Sequence, residues 1–207
     1  MQRPDKANAN YNDTGRLETF SDAVFGIIIT ITVLGVRPPA GTALNDLKPL
    51  IPKLLVYALS FTVLGIYWNN HHHLLRATKR ISGGIMWANL YLLFWLSLIP
   101  IVAEWVGVHP RSSWPVASFG IVGLMAAFAY SPVLTSAIIR ANREHPVARA
   151  LRRDLKGIAS IVLYAAAIGI AFVNPLLSLA VYVPVSIIWF IPDRRLEEPV
   201  LERSKNR

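Results

Sequence analysis

The sequence predicts an all-α polytopic membrane protein with six transmembrane helices. Three observations carry that prediction. Hydrophobic residues make up 54% of the 207 and charged residues only 16%, against about 45–50% and 25% in soluble domains. The apolar residues fall into runs near the ~20 residues that a helix needs to cross a hydrocarbon core of about 30 Å. The charges collect in short blocks between those runs, and the blocks rich in Lys and Arg alternate with poorer ones.

The first run is Leu17–Val36, stopped by Arg37-Pro38-Pro39. Residues 1–16 are polar and mixed in charge. They lack the basic segment, short apolar core and cleavage site of a signal peptide, and are expected to be a disordered or lightly ordered tail. The second run, Ile51–Asn70, leads into three histidines, and the Thr42–Pro52 segment ahead of it is expected to be a short interfacial helix. The third run is Ile85–Val106 and the fourth Trp114–Ile139. The basic Arg140–Lys156 loop is expected to be helical at the inner surface. The fifth run, Gly157–Val173, and the sixth, Leu176–Ile191, are parted by Asn174-Pro175, a turn signal. One helix through both would overshoot the bilayer. Residues 192–207 read as a second tail.

Loop charge sets the direction. With the N-terminus inside, only Arg37, Lys48, Lys53 and Arg111 of the 21 Lys and Arg lie outside, as the positive-inside rule requires. Both termini are then cytoplasmic, residues 17–191 form the membrane domain, and an even number of spans keeps both basic ends inside. Trp87, Trp105, Trp114 and Trp189 stand near span ends, where interfacial aromatic residues collect. The net charge of +9 therefore reads as topology and contact with anionic lipid. A nucleic-acid partner is not expected, since its Lys and Arg would gather on a polar face. With no cysteine in the chain, disulfides, thiolate chemistry and Cys metal sites are excluded.

The first span carries the most telling residues. Asp22 lies about 9 Å into it at 1.5 Å per residue, too deep for its short stem to reach water. An intramembrane carboxylate is costly, and is functional or paired inside the bundle. Positions 23, 27, 30 and 34 share one helix face and read Ala, Ile, Thr, Leu. Such a stripe suits helix packing or a dewetting constriction. Asp22 points roughly 140° away from it, toward neighbouring helices, with Arg16, Trp68 and His71 as candidate partners.

Arg16-x-x-x-Phe20-Ser21-Asp22, continued by Ala-Val-Phe-Gly-Ile-Ile-Ile-Thr, and Trp68-Asn-Asn-His71 late in the second span resemble the signature of a known family. It is the lysosomal potassium channel family of the transmembrane protein 175 type, in its bacterial branch; the later spans match in architecture only. The resemblance implies a potassium-selective or cation-selective channel of a bacterial plasma membrane. It implies a homotetramer around one pore, with the first span of each copy lining it and no carbonyl filter. Carried onto this chain, it makes Ile27 and Leu34 apolar constrictions and Thr30 a selectivity residue. Arg16, Phe20, Ser21, Asp22, Trp68 and His71 become the network that holds the pore helix. Potassium is the permeant ion, and no cofactor is implied.

Two other functions remain open on the residues: a small proton-coupled secondary transporter using Asp22, and a membrane scaffold. No repeat of three spans plus three is visible, as many transporters would have. Thr-Val-Leu-Gly occurs at 32–35 and at 62–65, but inside apolar helices, whereas a carbonyl filter needs an irregular loop. No nucleophile with a base and no phosphate loop marks an enzyme. His71, His72 and His73 diverge by about 100° each on a helix, with no carboxylate in sight to complete a ligand set, so no metal is expected. His71 should pack inward beside Trp68 while the other two face headgroups. Glu104 is expected to be a solvated carboxylate near the outer surface. Gly120, Gly123, Ala126 and Ala127 predict close packing in the fourth span, and Pro100, Pro132 and Pro184 mark sites where spans can kink.

Overall fold

The computed structural model describes residues 6–151 and 154–190, with side chains from Thr14 onward except at 146, 149 and 150. The expected tail 192–207, Ile191 and the basic pair Arg152 and Arg153 lie outside the described residues. Every regular element among them is helical: α1 (Lys6–Leu34), a 3-10 helix (Leu44–Leu50), α2 (Ile51–Ala77), α3 (Gly83–Ser97), α4 (Ile99–Val108) and α5 (Ser113–Phe128). A π-helical stretch (Ala129–Thr135) then leads into α6 (Ser136–Ala141), followed by α7 (Pro146–Leu151), α8 (Leu155–Ala171) and α9 (Pro175–Phe190).

Four helical stretches are long and apolar enough to cross a membrane: Thr14–Leu34, Leu44–Ala77, Gly83–Val108 and Ser113–Ala141. α8 and α9 are shorter apolar helices of 17 and 16 residues. These six coincide with the six apolar runs. Three boundaries differ from expectation. Helix α1 is already formed at Lys6, so most of the expected tail is helical. The third span changes from α3 to α4 at Leu98, two residues before Pro100, whose ring cannot sit in an unbroken ladder. The fourth span widens to a π-helix around Pro132, one of the local adjustments by which a span accommodates proline.

Helix ends follow from local chemistry. Ser82 caps α3 through Ile85 N–H, Asp154 caps α8 through Gly157 N–H at 2.8 Å, and Asn174 accepts from Leu177 N–H at 3.1 Å ahead of α9. Such caps satisfy donors that the first turn leaves free. Asn142 at the end of α6 accepts from Arg80 N–H and donates to Arg80 C=O, tying the α2–α3 loop to the fourth span.

Helix α5 is the hub, packed on α3, α4, α8 and α9. Its small residues make this possible. A Cβ at Gly123 would stand 2.5 Å from the Tyr164 ring, and one at Gly120 would meet the Tyr182 hydroxyl. Tyr182 is fully buried and donates to Val116 C=O at 3.0 Å. α1 instead lies at the side of the bundle, against α2, α3 and α4. Trp87, Trp105 and Trp114 are exposed, as interfacial residues should be, but Trp189 is not one of them. Its indole is turned into the bundle and donates to Ser160 Oγ at 2.7 Å.

Candidate ion pathway and the network behind it

Helix α1 has two faces. Leu17, Ser21, Phe25, Ile28 and Thr32 are buried, at spacings of three and four that align them in one stripe. Phe20, Ala23, Ile27, Thr30 and Leu34 are exposed, with Ile27 at 58% and Leu34 at 71%. Gly26 beside them has nothing within 4 Å of where a Cβ would stand. The face that the sequence marks as Ala, Ile, Thr, Leu is therefore largely uncovered by the other described residues.

The Thr30 hydroxyl sits within 3.0 Å of Gly26 C=O and 2.9 Å of Ile27 C=O, to which it donates. Its proton is thus held by the helix, and its oxygen lone pairs are left to the open side. This step on the apolar face can offer an acceptor to a cation. Ile27 and Leu34, on either side of it, can only exclude water.

Behind the buried stripe lies a polar chain. Ser21 donates to Leu17 C=O at 2.8 Å and accepts from Asn89 Nδ2 at 2.9 Å. Asn89 Oδ1 lies 2.6 Å from His71 Nε2. Ser21, Asn89 and His71 are all fully buried, and Phe25 closes the chain against the His71 ring at 5.5 Å. Three spans are joined by these contacts. The network misses no bond at Ser21 or Asn89, which matters because an unpaired buried polar group costs about 1–3 kcal/mol.

Asp22 and His71 do not meet. The indole of Trp68 donates to Asp22 Oδ1 at 2.9 Å, and Asp22 Oδ2 faces His72 Nδ1 at 3.9 Å. Glu18 Oε1 is closer to that nitrogen, at 2.9 Å, and Arg76 Nε stands 4.0 Å from Glu18. His72, not His71, therefore accompanies Trp68, their rings 6.1 Å apart. The reason is the 100° step between successive helical residues, which sends His71 toward α3 and His72 toward α1. Two carboxylates thus stand at the histidine run, against the expectation of none. Arg16 is exposed and makes no ion pair among the described residues, and Phe20 lies on the exposed face. Neither joins the contacts around Asp22.

The sequence reading gave no role to Asn89, Glu18 or Phe25. Asn89 has a recoverable signal, a polar amide in the middle of the apolar stretch 85–96. Glu18 lies four residues before Asp22, on the same helix face. Phe25 lies in the stretch that continues the motif and is four residues after Ser21, on the same helix face. Glu104 stands beside the end of α1, its Cβ 3.4 Å from where a Gly35 Cβ would be.

Residues 16–100 match the model of the endosomal/lysosomal potassium channel TMEM175 family. The chain is 45% identical to a potassium channel of Chryseobacterium sp. (strain P1-3), over 91% of this chain and 98% of the relative. It is 29% identical to a potassium channel of Streptomyces collinus, over 83% and 88%. Its fold matches the crystal structure of a lysosomal potassium-selective channel TMEM175 homolog from Chamaesiphon minutus, with a TM-score of 0.75 at 24% identity over 86% of this chain and 96% of that one. A buried Ser21 tied across three helices, Asp22 held by Trp68, and an exposed apolar face beside them belong to a chain that is a member of the TMEM175 family of potassium channels, an integral membrane family and not one of enzymes.

Proposed function

We propose that this chain is a potassium channel whose pore is built by the exposed face of α1 from four identical copies. One observation carries the proposal. Among the described residues, the apolar face holding Ile27 and Leu34 stays exposed, although the opposite face of the same helix is buried. Packed in a ring, such faces would meet around an axis. Ile27 and Leu34 then form apolar rings that an ion crosses only when wetted. Thr30 lies between them and supplies hydroxyl oxygens to a partly dehydrated ion.

Ser21 and Asp22 have a different duty. The Ser21–Asn89–His71 chain and the Trp68–Asp22 bond anchor α1 to α2 and α3 from behind. They hold the pore face in register and do not touch the ion at the constriction. The protein sits in a bacterial plasma membrane with both ends cytoplasmic, and its basic inner loops lie against anionic lipid.

The test is the reversal potential of purified protein in planar bilayers under a potassium-versus-sodium gradient, beside its mass in detergent. Discrete currents reversing toward the potassium potential from a particle of four chains are expected. Slow, saturable, proton-linked uptake without unitary currents would instead mark a transporter centred on Asp22.

A further inference from the structure

We propose that Glu18, Asp22 and His72 form a binding site for a transition-metal dication of the zinc class, bridging α1 and α2. One ligand atom from each of the three lies within 4.8 Å of the other two. Zinc binds histidine nitrogen and carboxylate oxygen at roughly 2.0–2.2 Å, so two ligands of one ion stand about 3–3.5 Å apart. The observed 2.9 Å from His72 Nδ1 to Glu18 Oε1 and 3.9 Å to Asp22 Oδ2 bracket that spacing.

A second observation concerns the nitrogen itself. The Nδ1 atom of the half-buried His72 is shielded from solvent and makes no hydrogen bond among the described residues, although Glu18 Oε1 is so near. The proximity without a directed bond suits two donors that share an ion. Asp22 is also prepared for the task. Trp68 occupies Oδ1 from behind, which leaves Oδ2 turned to the cluster. Such supporting bonds orient metal ligands. One imidazole and two carboxylates favour zinc, cobalt or nickel over calcium and magnesium, which take oxygen ligands.

Arg76 is the competitor. Its Nη1 lies 3.5 Å from His72 Nε2 and its Nε lies 4.0 Å from Glu18. An ion on Nδ1 requires the ring proton on Nε2, so the exposed Arg76 side chain must swing away. The site is thus a choice between an arginine and a dication. It needs no assumption about the pore, because it is read by binding.

The experiment titrates Zn2+ into chelator-treated full-length protein in detergent by calorimetry, and follows Co2+ by its visible absorption. One ion per chain is expected. Glu18→Gln and His72→Gln should each weaken binding by at least ~10-fold, and Trp68→Phe by roughly 10-fold as a supporting residue. Arg76→Gln, an exposed change that leaves the fold alone, should tighten binding. No saturable uptake by the parent chain would mean that His72 and Glu18 are an ion pair only, and would overturn the site. Unchanged binding in Glu18→Gln and His72→Gln would place the ion elsewhere and do the same. If those two variants do not fold, weaker binding in Arg76→Gln overturns the site by itself.

Discussion

The first and fourth spans have the same mean hydropathy, 1.7, yet 61% of the apolar window of Ser113–Ala141 is buried inside the chain and only 28% of that of Thr14–Leu34. Lipid tolerates both equally, so hydropathy places them in the membrane and says nothing of their neighbours. Small residues make the difference. Gly120 and Gly123 let Tyr182 and Tyr164 come against the backbone of α5, and packing of this kind drives helix association where no hydrophobic force acts between helices. α1 presents one well-packed stripe and leaves the other face open. A helix so apolar, with one face unpartnered, is equipped to meet lipid or other copies of itself.

The largest test of this contrast puts the same side chain into both helices. Gly123→Leu forces Leu into the place of the Tyr164 ring, and should cost at least the ~1–3 kcal/mol of an overpacked core. Gly26→Leu, with open space around it, should change the melting of dispersed chains by less than about 0.5 kcal/mol while disturbing assembly and current. Thermal unfolding in detergent with size-exclusion reads both. Equal losses of stability would abolish the distinction between the two helices.

The next test concerns the network behind α1. Asn89→Leu leaves the Ser21 hydroxyl oxygen and His71 Nε2 without a common partner, which should cost about 1–3 kcal/mol. Ser60→Ala removes a hydroxyl that, among the described residues, serves Val56 C=O of its own helix, and should cost less than about 1 kcal/mol. Melting of the two variants side by side decides whether the cross-helix chain carries more than a local bond does.

Two smaller effects probe the exposed face. Ile27→Asn should raise potassium current several-fold by hydrating an apolar ring; unchanged unitary current would remove Ile27 from the constriction. Thr30→Ala should lower the preference for potassium over sodium by less than tenfold, under about 1.4 kcal/mol. A reversal potential that stays fixed in mixed ions would take the hydroxyl out of selectivity.

Much of this was legible in the residues. Six apolar runs, their basic flanks and the proline breaks are statements about a chain in lipid, where backbone groups must be satisfied within a helix. The Phe20-Ser21-Asp22 motif and Trp68 were legible too, because a carboxylate in an apolar span demands a donor. The choice between His71 and His72 was not. Both lie at the same depth, and which one meets Asp22 depends on how α2 is rotated about its own axis.

By itself, then, the sequence determined the number of apolar helices and the opposite faces of α1, because these follow from transfer energies and a 3.6-residue period. Tertiary structure alone decided that Asn89 links Ser21 to His71, that Glu18 and Asp22 converge on His72, and that Trp189 turns inward to Ser160. Those contacts join residues up to 68 positions apart. They depend on the relative rotation and depth of packed helices, which no local pattern encodes.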